Sequence, residues 1–435
     1  MRRARDRGER FAVQPDVQRR LPSIVRTARP APFQCAGLLI AIALWVGLGV
    51  AATDSMSLWQ DGPHLRGANL WQRIVVPSLD GTEFLGNARV GPPVTQEDFN
   101  QLAGLGANLV ILSHPGLFTE RPPYQLDRPV QANLDRLIDM ATRAGLYVVI
   151  ALRTGPGRSD FTFYRDGAGD WFDPKLLIET VWTSPAAQDG WIRMWQHVAT
   201  RYRDRPGVVG YELMVEPNGA DVTYDICDPT DFYPRFANAL ADWNAFYPRI
   251  AAAVRHVDSI TPILVGPMGW SSIDWLPYLE PIDDPRIVYA VHQYEPQSEY
   301  THQNPDGAHR YPGRMDLDED GQPEYFDRAW LTERIQSVAS FREAYEVPMA
   351  VTEYGIKRWI PGAAGFMADQ MAQFEHLGMN HALWAFAPRW PPLVEIDAFD
   401  FLHGPDPHNH FDTESDLLDT IQAVWARNRR RPPVD

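Results

Sequence analysis

The twenty residues Asn133-Leu134-Asp135-Arg136-Leu137-Ile138-Asp139-Met140-Ala141-Thr142-Arg143-Ala144-Gly145-Leu146-Tyr147-Val148-Val149-Ile150-Ala151-Leu152 run from an amphipathic stretch through a glycine into a short apolar segment. Leu134, Leu137, Ile138 and Ala141 recur at helical spacing, so residues 133–145 predict a helix with one buried face. Gly145 supplies the left-handed residue that stops a helix. Tyr147 to Leu152 is apolar at every position, the signature of a strand buried on both faces, as in a parallel sheet covered by helices. The same order of helix, glycine and strand returns at Leu105-Gly106-Ala107 and Leu377-Gly378-Met379.

Working outward, the candidate strands are His64 to Leu70, Ala107 to Leu112, Tyr147 to Leu152, Val208 to Met214, Pro262 to Gly266, Ile287 to Val291, Met349 to Thr352 and His381 to Phe386. Between them lie helical patterns at Val94 to Gly106, Asn133 to Gly145, Gln188 to Arg203, Phe232 to Val257, Ala329 to Tyr345 and Ala363 to Gly378. Eight strands alternating with helices predict an α/β chain folded as a (β/α)8 barrel, a single catalytic domain over residues 53–435. The longest irregular insertion, Glu295 to Asp327, follows the sixth strand. Loops at the C-terminal ends of barrel strands build the active site, so this one is expected to wall the cleft.

The chain has 435 residues, 45% hydrophobic and 22% charged, enough to bury a core without disulfides or a structural metal. Its N-terminus differs from the rest. Residues 1–32 form a basic leader with Arg2, Arg3, Arg5, Arg19, Arg20, Arg26 and Arg29, and residues 33–52 are apolar apart from Gln34. About 20 apolar residues suffice to cross a bilayer, and the basic flank keeps the N-terminus inside, so everything after Thr53 is expected outside. Gly49-Val50-Ala51-Ala52 offers small residues for a signal peptidase, which leaves two outcomes open: a secreted protein, or one tethered through residues 33–52 to the outer face of the cytoplasmic membrane.

Of 40 basic and 56 acidic residues, nine and three lie in the first 52, so the exported part carries 31 against 53. Such an acidic surface repels nucleic acid and anionic lipid and suits a neutral ligand such as a sugar polymer. Cys35 and Cys227 fall on opposite sides of the export boundary, which excludes a disulfide between them. No HExxH, CxxC, GxSxG or phosphate-cradling glycine loop occurs.

Cleaving a glycosidic bond requires a carboxylic acid at the leaving oxygen and a carboxylate facing the anomeric carbon. Two glutamates stand at predicted strand ends: Glu216 in Met214-Val215-Glu216-Pro217-Asn218 after strand four, and Glu353 in Val351-Thr352-Glu353-Tyr354-Gly355 at strand seven. With Arg66-Gly67-Ala68-Asn69-Leu70, His292-Gln293-Tyr294 and Leu383-Trp384-Ala385-Phe386, they make the chain resemble the retaining (β/α)8 glycosidases, and within them the cellulase and mannanase family called glycoside hydrolase family 5, over roughly Leu65 to Phe386. The resemblance implies that Glu216 is the acid/base and Glu353 the nucleophile. It also implies that His292 holds the sugar or the acid/base, that the Tyr294 hydroxyl orients the nucleophile, and that Trp384 is the platform beneath the sugar. Trp71, Trp171, Trp182, Trp270 and Trp390 are further candidates for subsites or for core.

The chain departs from the family pattern at several places. Val215 replaces the Asn that precedes the acid/base, and Asn218 is the nearest amide. The family's Arg on strand two and His on strand three are replaced by Val110-Ile111-Leu112 and Ala151-Leu152-Arg153, so Arg153 is expected to face the carboxylates instead. His114, just past strand two, is a further cleft candidate. Asp316-x-Asp318-x-Asp320-Gly321, with Glu324 and Asp327, matches most of a calcium loop, with a solvated acidic turn as the alternative.

Together these features predict an exported hydrolase of O-glycosyl bonds in a β-linked glucan- or mannan-type oligo- or polysaccharide, working by double displacement without a cofactor. Carboxyl groups about 5–5.5 Å apart would accompany retention. Two competing readings are a carbohydrate-binding barrel that has lost hydrolysis and a transglycosylase.

Overall fold

The computed structural model describes residues 54–84, 86, 88–304, 307–317, 321–388 and 394–433. The leader and the apolar run 33–52 lie outside them, and no helix among the described residues is long and apolar enough to cross a membrane.

Eight parallel strands close into a barrel: β1 (Arg66–Trp71), β2 (Leu109–His114), β3 (Tyr147–Leu152), β4 (Val208–Glu212), β5 (Ile263–Val265), β6 (Ile287–Gln293), β7 (Met349–Tyr354) and β8 (Asn380–Leu383). Each pairs with its neighbour in sequence, and β1 pairs with β8 to complete the ring. Alternation along each strand divides the apolar residues into two sets. Leu109, Ile111, Val149, Ala151, Leu264, Val288, Ala290, Ala350 and Ala382 fill the lumen. Val110, Leu112, Val148, Ile150, Ile263 and Val351 face the helices. Trp59, on a short helix before β1, stoppers the N-terminal end and donates its indole N–H to the Val209 carbonyl at 3.0 Å.

The longer helices are α1 (Gln96–Gly104), α2 (Arg128–Arg143), α3 (Pro185–Tyr202), α4 (Trp243–Arg255), α5 (Gln336–Tyr345), α6 (Ala363–His376) and α7 (Asp416–Trp425), with a 3₁₀ turn, Ile273–Tyr278, as the crossover between β5 and β6. The glycines read as helix stops have φ of 104° at Gly106, 77° at Gly145 and 66° at Gly378. Two expected helices are broken. Phe232 to Val257 divides into Pro229–Phe236 and α4, because Asp242 turns the chain: one carboxylate oxygen accepts from the Asn238 N–H at 2.7 Å and the other from the Asn244 N–H at 3.0 Å, capping α4. Ala329 to Tyr345 likewise divides into Arg328–Arg334 and α5 at Ile335.

The insertion after β6 holds a small antiparallel ribbon, Gly313–Met315 with Glu324–Phe326. Tyr300 and Tyr311 each pack edge-to-face on Phe326 and on Phe366 of α6, which fixes the insertion to the barrel wall.

Candidate active site

Strand register sets the centre of the site. β6 and β7 pair so that His292 lies opposite Glu353, and the ladder shifts between Val351 and Glu353. That irregularity re-aims the Glu353 side chain, a common use of bulges at barrel rims. Tyr294, one residue past β6, donates its hydroxyl to Glu353 Oε2 at 3.1 Å. Glu216 stands four residues beyond β4 on backbone that has left the sheet, with φ of 52° in the left-handed region. The fully buried Arg158 holds this turn, its guanidinium donating to the Val215 and Glu216 carbonyls at 2.7 Å each. The Glu216 carboxylate meets His292 Nδ1 at 2.9 Å. An oxygen of Glu216, an oxygen of Glu353 and a His292 nitrogen all lie within 4.8 Å of one another.

Arg153, at the end of β3, places Nη1 4.0 Å from Glu353 Oε1 and Nε 3.1 Å from Asp160 Oδ1. Its guanidinium lies 3.8 Å from the Phe163 ring centroid and 5.3 Å from that of Trp384. It thus fills the gap between the carboxylates and the aromatic floor.

Charge is concentrated here. Burial alone would lower the His292 imidazole, but Glu353, Glu212 and Glu216 around it outweigh that and push it up to about 10. Burial raises the Glu353 carboxyl to about 7, with His292 and Arg153 drawing it down and Glu216 and Glu212 adding to the rise. These groups exchange protons as one unit. Tyr294, buried and facing Glu353, is held well above its usual range and remains a neutral donor.

The cavity has a volume of about 460 Å³. Trp384 forms its floor, Phe163, Tyr164, Trp270 and Trp275 its aromatic walls, and Glu295, Gln297 and His302 bring the start of the insertion into its lining. The insertion therefore walls the cleft as expected, though only through its first residues.

Two expected cleft residues are elsewhere. Asn218 is fully buried, donating to Thr162 Oγ1 at 2.9 Å and accepting from the Trp182 indole at 3.0 Å, so it ties the loop after β4 to the core. His114 is equally buried: Nδ1 bonds the Pro115 carbonyl at 2.7 Å and Nε2 meets the Asn133 amide at 3.1 Å, and burial lowers it to about 4, a neutral packing imidazole. Trp270 lines the cavity, whereas Trp71 and Trp182 are core, Trp171 is exposed against Phe161 and Phe172, and Trp390 lies outside the described residues.

The described members of the acidic turn are engaged by backbone N–H groups. Asp327 caps the helix Arg328–Arg334, accepting from the Ala329 and Trp330 N–H groups, and Asp316 accepts from the Gly321 N–H at 2.9 Å. Glu324 belongs to the ribbon and accepts from the Leu317 N–H at 2.7 Å. Asp318 and Asp320 lie outside the described residues.

Three residues were not anticipated. Glu212, on β4, lies 3.8 Å from His292 Nε2 and accepts from Thr352 Oγ1 at 3.3 Å. Its inward parity was readable once the strand was placed. His302 reaches the cavity by stacking edge-on against Tyr294 with centroids 4.9 Å apart, and Arg158 supports Glu216; neither carries a local sequence signal.

A closed parallel barrel whose C-terminal mouth gathers two carboxylates, an imidazole and an indole floor defines a barrel glycoside hydrolase. Residues 75–389 match the model of the cellulase family, glycosyl hydrolase family 5, and the chain belongs to that family. Endoglucanase C of Acetivibrio thermocellus is 22% identical over 319 residues, 67% of this chain and 84% of that protein. The endoglucanase Cel5A of Thermotoga maritima superposes with a TM-score of 0.57 at 17% identity, covering 85% of this chain and 98% of its own. The same enzyme in complex with mannotriose gives 0.55 at 18% identity, covering 82% and 97%.

Proposed function

We propose that this glycoside hydrolase cleaves a β-linked glucan or mannan with retention, Glu353 acting as nucleophile and Glu216 as acid/base. The observation that carries the reading is the pair of carboxylate oxygens within 4.8 Å, joined through His292. Carboxylates that bring one oxygen each this close favour the retaining arrangement, in which one of them attacks the anomeric carbon directly.

In the first step a Glu353 oxygen bonds to the anomeric carbon as the carbon–oxygen bond to the leaving sugar breaks, and the Glu216 proton passes to that oxygen. In the second, Glu216 takes a proton from water, the water oxygen bonds to the anomeric carbon, and Glu353 leaves as a carboxylate. Tyr294 and Arg153 hold Glu353 as the attacking anion. Trp384 offers a flat apolar face to a pyranose ring.

Endoglucanase C and the mannotriose complex of Cel5A favour a glucan or mannan backbone. The buried, apolar Val215 replaces the amide through which the family contacts the 2-hydroxyl. Arg153, beside Glu353, is the donor we assign to that part of the sugar. The basic leader and the apolar run 33–52 favour action outside the cytoplasm, testable by N-terminal sequencing of the exported product.

The function is tested with an activated aryl β-glucoside and β-mannoside and a 2-fluoro trapping sugar. The wild type should turn over and accumulate a glycosyl adduct on the Glu353 peptide, and Glu353→Gln should do neither. Equal trace rates for the two proteins would overturn the proposal.

A further inference from the structure

Behind the floor of the cavity, the segment after β8 gathers Asp397, Asp400, His403 and His410. His403 Nδ1 lies 2.8 Å from Asp397 Oδ1, and His410 Nδ1 lies 3.1 Å from Asp397 Oδ2. One ligand-capable atom from each of Asp397, His403 and His410 falls within 4.8 Å of the other two. Nitrogen and oxygen ligands about 2.0–2.2 Å from a tetrahedral zinc ion stand roughly 3.3 Å apart, so these atoms need little movement to share one ion.

The surrounding contacts point the same way. Asp400 is fully buried, and its Oδ2 has no hydrogen-bond donor among the described residues; that oxygen lies 3.6 Å from His403 Nε2. A carboxylate beside the far nitrogen is the usual arrangement behind a metal-bound histidine. His403 Nδ1 and Asp397 Oδ1, 2.8 Å apart, are placed to share either a proton or, in its place, a metal ion. On its other side Asp397 Oδ2 accepts from the Arg358 guanidinium at 2.9 Å, as ligating carboxylates commonly accept from an outer donor.

We propose that Asp397, His403 and His410 bind one divalent transition metal of the zinc class, with Asp400 orienting His403. The fourth position opens on the His410 side, where the side chain is 33% exposed. Two imidazoles and one carboxylate favour zinc or a similar borderline ion over calcium or magnesium, which take oxygen ligands. The role is structural. Phe399, between the ligands in sequence, packs on His302 and Tyr294 with centroids 4.8 and 6.1 Å away, so a metal here braces the side of the cavity that presents Tyr294.

The full chain, stripped with a chelator, is titrated with ZnCl₂ by calorimetry and melted with and without the metal; CaCl₂ is run in parallel. One zinc per chain should bind and raise Tm, and calcium should do neither. His410→Gln, at a partly exposed position, and His403→Gln should each weaken binding at least tenfold with far-UV circular dichroism unchanged, while Glu353→Gln, at the catalytic cluster, should bind as the wild type does. No zinc binding, or binding unaltered in His410→Gln, overturns the site and leaves His403 as a protonated bridge between Asp397 and Asp400. Loss of binding in Glu353→Gln instead would place the ion at the catalytic carboxylates.

Discussion

The Glu353 carboxyl is enclosed by a phenol, a guanidinium and an imidazole, and each tunes its proton. Tyr294→Phe removes the 3.1 Å donor, and kcat should fall about 10- to 100-fold with a smaller change in KM, since the bond matters most when Glu353 departs or attacks as an anion. Burial raises Glu353 to about 7, so kcat/KM should decline as pH falls through that region; His292→Asn, which deletes a countercharge, should move this limb to higher pH in the residual activity. The linkage for His292 runs the other way. Its folded value near 10 lies above the unfolded value of about 6.5, so the stability from its carboxylate contacts is present in full below pH ~6.5 and lost as pH rises through 10. The Tm difference between wild type and His292→Asn should therefore be larger at pH 6 than at pH 10, and a difference that grows with pH would contradict the cationic assignment.

Among the elements, the turn Gly155–Arg158 and the end of β4 act together. Arg158→Met leaves two buried carbonyls without donors and frees Glu216 from its left-handed backbone. kcat should fall with KM little changed, and Arg158→Lys should restore part of it, as measured by steady-state kinetics. Closure of the ring is tested at Gly67: a Cβ there would sit 1.8 Å from the Leu109 carbonyl oxygen, so Gly67→Ala should cost on the order of 3 kcal/mol or prevent folding, read by denaturant unfolding. The strands were legible because period-two burial, β-branched runs and glycine stops are local. The breaks at Asp242 and Ile335 were not, since an amphipathic pattern continues across them and the capping contact arises only when the turn forms. Asn218 and His114 were misread for a related reason. A polar residue near a strand end looks alike whether it faces substrate or finds a buried partner, here Thr162 and Trp182 or Asn133, from distant segments.

For the molecule as a whole, a chain of net charge −16 gathers acids and bases at the barrel mouth, where Glu212, Glu216 and Glu353 face His292 and Arg153. The family pattern carried Glu216, His292, Tyr294, Glu353 and Trp384 from sequence to a common cavity, and the strand-end position of Arg153 carried it there too, whereas Phe163 against Arg153 and Arg158 beneath Glu216 depend on a loop whose course is set by packing. In the proposed reaction the two carboxylates perform a double displacement. Proton NMR of the first-formed sugar, recorded before mutarotation, tests it most directly: hydrolysis of a β-linked glucan or manno-oligosaccharide should release the β-anomer first, and initial release of the α-anomer would contradict the account.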